Sequence, residues 1–435
     1  MGGGRATIVA LSSGALPSGI AVIRLSGPRV QEALRRLVGS VPQPRRMTLR
    51  ALRAPGGAVL DTGLVVFFPG PGSFTGEDCA ELHLHGSRAV VAAVLAALCA
   101  IDSVELAEAG AFTRRAFEAG RLDLTQVEGI GDLIAAETET QRLQAIKRSQ
   151  GALRSAIADW RQRLVALRAE IEARLDFADE GDVGEVLPDN FHSELGTLEG
   201  SMAAALAGYA DGRIVRDGFR VVLAGAPNAG KSSLLNALAG SEEAIVSPEA
   251  GTTRDVKEIQ LDLGGRLVRL FDVAGLRQSA SAAESEGVRR AEMQMRQADL
   301  VLWLEAPDVN AVAMPEGLNA VWRIASKADL GGSGRGCDIA LSCRTGAGLS
   351  ELKHRLGQAA ASAIRGETAL VSHMRDKESI EKALGFLAQA RAAGEPDEFL
   401  AENLRLAGQA LMRLTGEIEA EQVLDRLFAG FCIGK

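Results

Sequence analysis

The chain has 435 residues, which at roughly 100–200 residues per domain points to about three domains. Hydrophobic residues make up 47%, charged residues 24% and aromatics only 4%, a soluble globular composition whose aliphatic and alanine-built cores favour helices and α/β units over a tyrosine-rich β-sandwich. With 48 Lys and Arg against 56 Asp and Glu the formal net charge is −8, which excludes a uniformly basic nucleic-acid coat but leaves room for a local basic patch.

The N-terminus, MGGGRATIVALSSG, lacks the long apolar core of a secretory signal, and Ala6 stands where a myristoylation signal needs Ser or Thr. Ile8–Leu11 and Ile20–Leu25 are short aliphatic runs bounded by Gly, Ser and Pro and are predicted strands, and Val30–Val38 is a predicted helix. Leu64–Phe68 is a further strand before the turn-rich Pro69-Gly-Pro-Gly-Ser73, and Glu81–His85 alternates apolar and polar residues as a strand does. Ala89–Ile101 reads as a buried helix; its 13 residues form the longest apolar run and fall short of the roughly 20 that span a bilayer, so no membrane association is expected. Strands and helices mixed within residues 1–118 predict an α+β domain.

From residue 119 the texture turns helical. Leu153, Ile157, Trp160, Leu164, Leu167, Ile171 and Leu175 recur at spacings of three and four, one apolar stripe on a long bundle helix. Residues 217–365 break that pattern: Arg220–Ala224, Leu267–Val273 and Leu300–Leu304 are predicted strands with helix-like segments between them, as in a doubly wound parallel sheet. After residue 366 helical spacing returns in Ile380, Leu384 and Leu387, then Leu404, Leu411, Leu414 and Ile418. The expected organisation is therefore an α+β domain over 1–118, a discontinuous all-α domain over 119–216 and 366–435, and an α/β domain inserted at 217–365. The five cysteines (Cys79, Cys99, Cys337, Cys343, Cys432) are scattered, with no Cys-x-x-Cys pair; neither a disulfide scaffold nor a zinc site is suggested, and a reducing cytoplasm is expected.

The strongest local signal is Gly225-Ala-Pro-Asn-Ala-Gly-Lys-Ser232, which fits G-x-x-x-x-G-K-[ST] between a predicted strand and the helix Ser232–Leu238. Glycines there let backbone N–H groups of Asn228, Ala229, Gly230, Lys231, Ser232 and Ser233 converge on phosphate oxygens, aided by the helix N-terminus. Lys231 is expected on the β/γ-phosphates and Ser232 on Mg²⁺. Gly251-Thr-Thr253-Arg-Asp255 can supply a switch threonine to the metal, and Asp272-Val-Ala-Gly275 can hold it through water while the Gly275 N–H meets the γ-phosphate. Ser326-Lys327-Ala-Asp329 and Ser342-Cys343-Arg344 each follow an apolar strand. The Asp329 carboxylate can accept from guanine N1–H and its exocyclic amine, a donor pair adenine lacks, so the expected substrate is GTP.

Two positions depart from the usual GTPase pattern. Position 326 is Ser where Asn-Lys-x-Asp has Asn, which predicts weaker nucleotide binding with guanine preference kept by Asp329. Leu276 stands where Ras-type enzymes carry a water-orienting Gln, so the catalytic group must come from elsewhere; Glu284-Ser-Glu286 offers carboxylates. Asn228, inside the loop, can help ligate a monovalent cation beside the phosphates.

With Gly-x-Pro-Asn-x-Gly-Lys-Ser, Gly251-Thr-Thr-Arg-Asp255, Asp272-x-Ala-Gly-Leu-Arg277, Pro71-x-Ser-x-Thr-Gly-Glu-Asp78, Leu122-Asp-Leu124 and the terminal Phe431-Cys-Ile-Gly-Lys435, the chain resembles the MnmE (TrmE) family of tRNA-modification GTPases along nearly its whole length. The resemblance implies a folate-binding, dimerising N-terminal α+β domain, a discontinuous helical domain and a G domain inserted in it. It implies a potassium site at Asn228, Ser247, Glu249 (through its backbone) and Thr252, Mg²⁺ ligands at Ser232 and Thr253, and Glu284 as the water-activating residue. Arg24, Glu81, Arg121 and Lys435 align with the residues that hold 5,10-methylene- or 5-formyl-tetrahydrofolate, basic groups suiting the tail carboxylates and Glu81 the donor edge of the pterin. It further implies a homodimer that joins an FAD-dependent MnmG (GidA) partner in a heterotetramer and modifies C5 of wobble uridine-34 in tRNA.

A ribosome-assembly GTPase of the Era or EngA type shares the phosphate loop, but it needs an RNA-binding KH-like domain or a second P-loop, and the sequence offers neither. Nucleic-acid contact has one visible candidate: Arg29, Arg35, Arg36, Arg45, Arg46, Arg50 and Arg53 concentrate positive charge within 25 residues, on what reads as a helix and loop.

Overall fold

The computed structural model describes residues 5–176, 190–245, 258–272, 283–331, 336–366, 369–391, 396–418, 421–431 and 433–434. Packing divides the chain into two units, Met1–Gly131 with Met412–Lys435, and Asp132–Leu411. No helix among the described residues is long and apolar enough to cross a membrane.

The first unit is built on a six-stranded sheet of β1 (Thr7–Leu11), β2 (Ser18–Ser26), β3 (Thr48–Arg53), β4 (Val59–Phe68), β5 (Cys79–Gly86) and β6 (Val104–Leu106), in the order β3-β4-β5-β2-β1-β6. All neighbours are antiparallel except β1 and β6. Helices α1 (Val30–Val38) and α2 (Arg88–Cys99) share one aliphatic core with it, including Leu34, Leu37, Ile23, Leu82 and Val94; each such side chain contributes about 1.5–3 kcal/mol by leaving water. The α+β expectation holds, with two corrections. Strand β3 replaces the loop expected after α1. Helix α2 is not buried all round: Val91, Val94 and Leu98 are inside while Ala89, Ala92, Ala93 and Ala96 face solvent, because alanine is tolerated on either side.

Helices α3 (Ala111–Glu118) and α4 (Leu124–Ala135) follow, and α14 (Glu421–Ala429) returns onto α3, where Arg114 pairs with Asp425 at 2.8 Å. The C-terminal tail then returns to the chain just beyond β6 and β1. Ile433 bridges to Ala109, and Ser12 Oγ donates to Gly434 O at 2.9 Å. Gly434 has φ +94, and a Cβ there would lie 2.3 Å from Leu11 O, so only glycine fits this close approach.

The second unit joins helices to an α/β sheet. In α6 (Ala152–Asp176) the expected stripe from Leu153 to Ile171 is buried and Leu175 is half-buried. Trp160 Nε1 donates to Ser201 Oγ at 3.0 Å on α7 (Phe191–Ala207). Helices α5 (Glu139–Ser149), α8 (Tyr209–Asp217) and α12 (Met374–Ala390) surround the two chain crossings to the sheet, and α13 (Asp397–Thr415) leads back to the first unit. Leu404, Leu411 and Leu414 are buried, whereas Ile418 is exposed, because left-handed Gly416 (φ +80) ends the helix before it.

The sheet runs β12 (Ile339–Ala340), β11 (Val321–Ala325), β10 (Leu300–Glu305), β7 (Phe219–Gly225), β9 (Leu267–Asp272), β8 (Glu258–Asp262). Five strands are parallel and β8 is antiparallel to β9, so the expected parallel sheet carries one antiparallel edge. Helices α9 (Lys231–Ala239), α10 (Ala283–Gln297) and α11 (Leu349–Ala363) complete it. Central β7 is where strand order reverses, the place where α/β sheets bind ligands beyond their strand ends.

Candidate nucleotide site and its companion cavity

Strand β7 delivers the chain into the phosphate loop at Gly225, whose φ is +129 and where a Cβ would sit 2.3 Å from Leu304 O on the neighbouring strand. Asn228 (φ +63) and Gly230 (φ +93) turn the loop left-handed before α9 begins at Lys231. The Lys231 side chain is buried, and Nζ donates to Ala226 O at 2.7 Å and Gly225 O at 3.1 Å, so its ammonium is held over the loop. Ser232 Oγ donates to Asp272 Oδ2 at 2.7 Å, uniting two residues 40 positions apart in sequence. Ser233 and Asn228 are exposed, and Ala229 is buried beneath them. A cleft of about 720 Å³ lies over the loop, bounded by Asn228, Lys231, Ser232, Glu292, Trp303 and Lys327 among others.

Of the residues expected at the base, Ser326 meets the phosphate loop and Asp329 meets Ser342 and Arg344. Ser326, buried at the end of β11, donates through Oγ toward Ala229 O (2.6 Å) and Glu305 O (3.0 Å). It thus ties the end of β11 to the phosphate loop despite its short side chain. Asp329 accepts from Ser342 Oγ and pairs with Arg344 Nη2 at 2.8 Å. The Ser342 hydrogen bond first, and the charge of Arg344 with it, hold the Asp329 carboxyl below the usual carboxylate range. Lys327 stands left-handed (φ +52) and its Nζ pairs with Asp308 at 2.7 Å. Burial, then the nearby Asp329, pushes the Cys343 thiol up, so it stays protonated. Ser247, Glu249, Thr252, Thr253 and Gly275 lie outside the described residues; Glu284 lies in the first turn of α10, its side chain outside them.

In the first unit Arg24 on β2 and Glu81 on β5 are cross-strand partners, with Arg24 Nη2 to Glu81 Oε1 at 2.9 Å. The guanidinium lies 5.8 Å from the Phe74 ring and 5.9 Å from the Phe112 ring. Both residues line a cavity of about 190 Å³ with Arg45, Phe68, Phe74 and Cys79. Arg24 and Glu81 therefore present one ion pair to this cavity. Arg121 donates to Pro71 O at 2.8 Å; Lys435 and Cys432 lie outside the described residues. The sequence reading missed His83, whose Nε2 lies 3.3 Å from Glu81 Oε2. Two-residue spacing along β5 was the available signal.

Residues 124–432 match the family described as "MnmE helical domain", and residues 7–121 match "GTP-binding protein TrmE N-terminus". The "tRNA modification GTPase MnmE" of Azorhizobium caulinodans is 49% identical over 436 residues, covering 99% of both chains. The chain belongs to the MnmE family of tRNA-modification GTPases. The Methylorubrum populi relative is 51% identical, covering 99% of this chain and 98% of its own. Among solved structures the G domain of the T. maritima FeoB iron transporter is similar at 27% identity and a TM-score of 0.24, covering 32% of this chain and 98% of that one; the assignment rests on the sequence relatives. In this family member the phosphate loop and Asp329 belong to a GTPase of tRNA modification.

Proposed function

We propose that this chain hydrolyses GTP with Mg²⁺ and K⁺ and, with an FAD-dependent partner of the MnmG (GidA) type, adds an aminomethyl or carboxymethylaminomethyl group at C5 of wobble uridine-34 in tRNA. The one-carbon unit comes from 5,10-methylene- or 5-formyl-tetrahydrofolate. The observation that carries the GTP half is the Ser232–Asp272 pair at 2.7 Å, a hydroxyl and a carboxylate meeting at a helix N-terminus beside the phosphate loop. Oxygen donors of this kind suit a hard divalent cation. Ser232 and Thr253 are its direct ligands and Asp272 acts through water; bound there, Mg²⁺ neutralises charge between the phosphates. Asn228, exposed on the loop, is the described member of the potassium set completed by Ser247, Glu249 and Thr252. Glu284 takes the proton of the attacking water.

The Arg24–Glu81 cavity supports the folate half. At about 190 Å³ it is smaller than the roughly 300 Å³ lower end of small-molecule sites, so it suits one end of a folate. Glu81, fixed by Arg24 and His83, accepts from the pterin N–H donors, while Arg121 and Lys435 remain for the tail carboxylates. The phosphate loop and this cavity belong to different units of the chain; hydrolysis drives pairing and rearrangement of the G domain and is not itself the carbon-transfer chemistry. The assembly is a cytoplasmic homodimer joined by the FAD protein in a heterotetramer.

The test is nucleoside mass spectrometry of tRNA from cells that lack this gene and cells complemented with it, with Glu81→Ala or with Ser232→Ala. Loss of C5-modified wobble uridine, restored only by the unmodified gene, supports the reading. Unchanged nucleosides with unassembled ribosomal particles would turn it toward the assembly-GTPase alternative.

A further inference from the structure

We propose that α1, the 39–47 loop and edge strand β3 form the surface on which this chain holds the tRNA backbone. The proposal rests on the tRNA-modification reading and assigns it a docking face. Residues 29–53 contain seven arginines and a single carboxylate, Glu32, a local charge of +6 (7 − 1) on a chain whose total is −8. Glu32 pairs with Arg29 at 2.9 Å and Arg36 at 2.6 Å.

Among the described residues the other five arginines meet only neutral groups. Arg35 donates to Gln31, Arg46 to Gln43, Arg50 to Leu49 O, Arg53 to Gly57 O, and Arg45 to Gly72 O beside the Phe68 ring. A guanidinium has five N–H donors, so each keeps most of them for an incoming anion. The nearby carboxylates are engaged elsewhere: Asp61 on β4 holds His85 at 2.8 Å, and Asp78 holds Gln31 at 2.8 Å. Strand β3 is the sheet edge. Alternation sends Arg50 to the α1 side with Leu52 and Arg53 to the opposite side with exposed Leu49, so positive charge wraps the edge. The 29–53 segment contains no aromatic residue, so its contacts to RNA would be those of guanidinium groups. Guanidinium forks on an exposed sheet edge suit phosphate oxygens bidentately.

The experiment is binding of unmodified tRNA to the full chain, alone and with its FAD partner, as a function of salt. With five phosphate contacts at about 0.7–0.9 counterions each, log affinity should fall against log salt with a slope of about −4. The triple variant Arg46→Gln/Arg50→Gln/Arg53→Gln should reduce that slope by about 2 and weaken binding at least tenfold near 0.15 M salt. GTP turnover should be unchanged. The triple Lys variant keeps the charge without the Arg-specific bonds and should keep the slope, separating charge from fold. Unmodified protein without salt-dependent tRNA binding, or a Gln triple with unchanged affinity and slope, overturns the proposal. Weakened binding of the FAD partner at unchanged tRNA affinity also overturns it and makes the face a protein contact; modified wobble uridine in either case leaves the tRNA-modification reading standing.

Discussion

Replacing Ser326 by Asn should tighten guanine-nucleotide binding. The Ser326 hydroxyl has one proton and faces two carbonyls, Ala229 O at 2.6 Å and Glu305 O at 3.0 Å. That proton is committed to the protein, so no donor remains for the purine edge. An Asn amide brings two N–H groups, one for Ala229 O and one for the base. Space exists on the loop side, where a Cβ built on Gly230 would lie 3.8 Å from Ser326 Cβ and Oγ. One added neutral hydrogen bond is worth about 0.5–1.5 kcal/mol, or about two- to tenfold in affinity. The opposite change, Ser326→Ala, strips the loop carbonyl of its donor and should lower affinity by a similar factor. Titration of a fluorescent GDP analogue, with ATP and GTP competition and thermal unfolding as the folding control, measures both. Affinity that is the same in all three proteins at equal stability would refute the reasoning. Equal competition by ATP and GTP would remove Asp329 from base selection.

Because Ser342 and Arg344 hold the Asp329 pKa below its ordinary value, its contribution is complete above the unfolded pKa and is lost only as pH falls through the lower folded value; GTP preference should be flat from about pH 8 to 5. Ser342→Ala should move the carboxyl titration, followed by carbon-13 NMR, upward toward the usual range. Hydrolysis should be faster in potassium than in sodium through the Asn228 site, and equal rates in the two salts would refute the cation assignment. Glu284→Ala should lower turnover at nearly unchanged GTP affinity; collapse of binding would make Glu284 structural. Burial raises the Asp376 pKa, but Arg148, His373 and Arg375 pull it below its ordinary value, so its stabilisation is present near neutrality and lost in acid. With both members of the Arg148–Asp376 pair fully buried at 2.7 Å, Asp376→Ala should cost about 3–5 kcal/mol by denaturant unfolding at pH 7, and a cost under 1 kcal/mol would show the pair to be dispensable.

Local signals carried most of the elements. The stripe along α6 and the phosphate loop between β7 and α9 are short-range patterns, and period and turn chemistry suffice to read them. The misread elements had residue types that serve two states. Thr48–Arg53 repeats Leu and Arg every third residue, which is not the two-residue period of a strand, so it looked like loop. Alanines on α2 are apolar in composition and indifferent to exposure, so the half-periodic Val91, Val94 and Leu98 were the better guide. Gly416 was the overlooked stop signal before Ile418. The Arg24–Glu81 pairing was out of reach, because it depends on the register of β2 against β5 and the two residues are 57 positions apart. No spacing rule sets a non-local register.

The same non-local logic explains how an inserted α/β unit can be felt by the helices that carry it. One face of α5 meets both chain crossings. Gln141 Nε2 donates to Arg216 O at 2.9 Å, Gln144 Nε2 to Gly212 O at 3.2 Å and Ala369 O at 2.8 Å, and Arg148 to Leu370 O as well as Asp376. Arg216 O, Ala369 O and Leu370 O lie where the chain leaves regular structure, and a buried carbonyl without a donor costs about 1–3 kcal/mol. At the start of the same helix Thr140 donates twice to Gly265 O, through N at 3.1 Å and Oγ1 at 2.8 Å. Gly265 is in the β8–β9 turn, and β9 ends at Asp272, the partner of Ser232. A shift of that hairpin must either carry α5 along or break two hydrogen bonds, at roughly 1–3 kcal/mol together. The buried Arg148–Asp376 pair at the other end makes α5 costly to release. The lower-energy response to a large shift is therefore to give up the two Thr140 hydrogen bonds while α5 stays seated on both points where the sheet joins its helices, so the helices feel the Ser232–Asp272 end of the hairpin only through that contact.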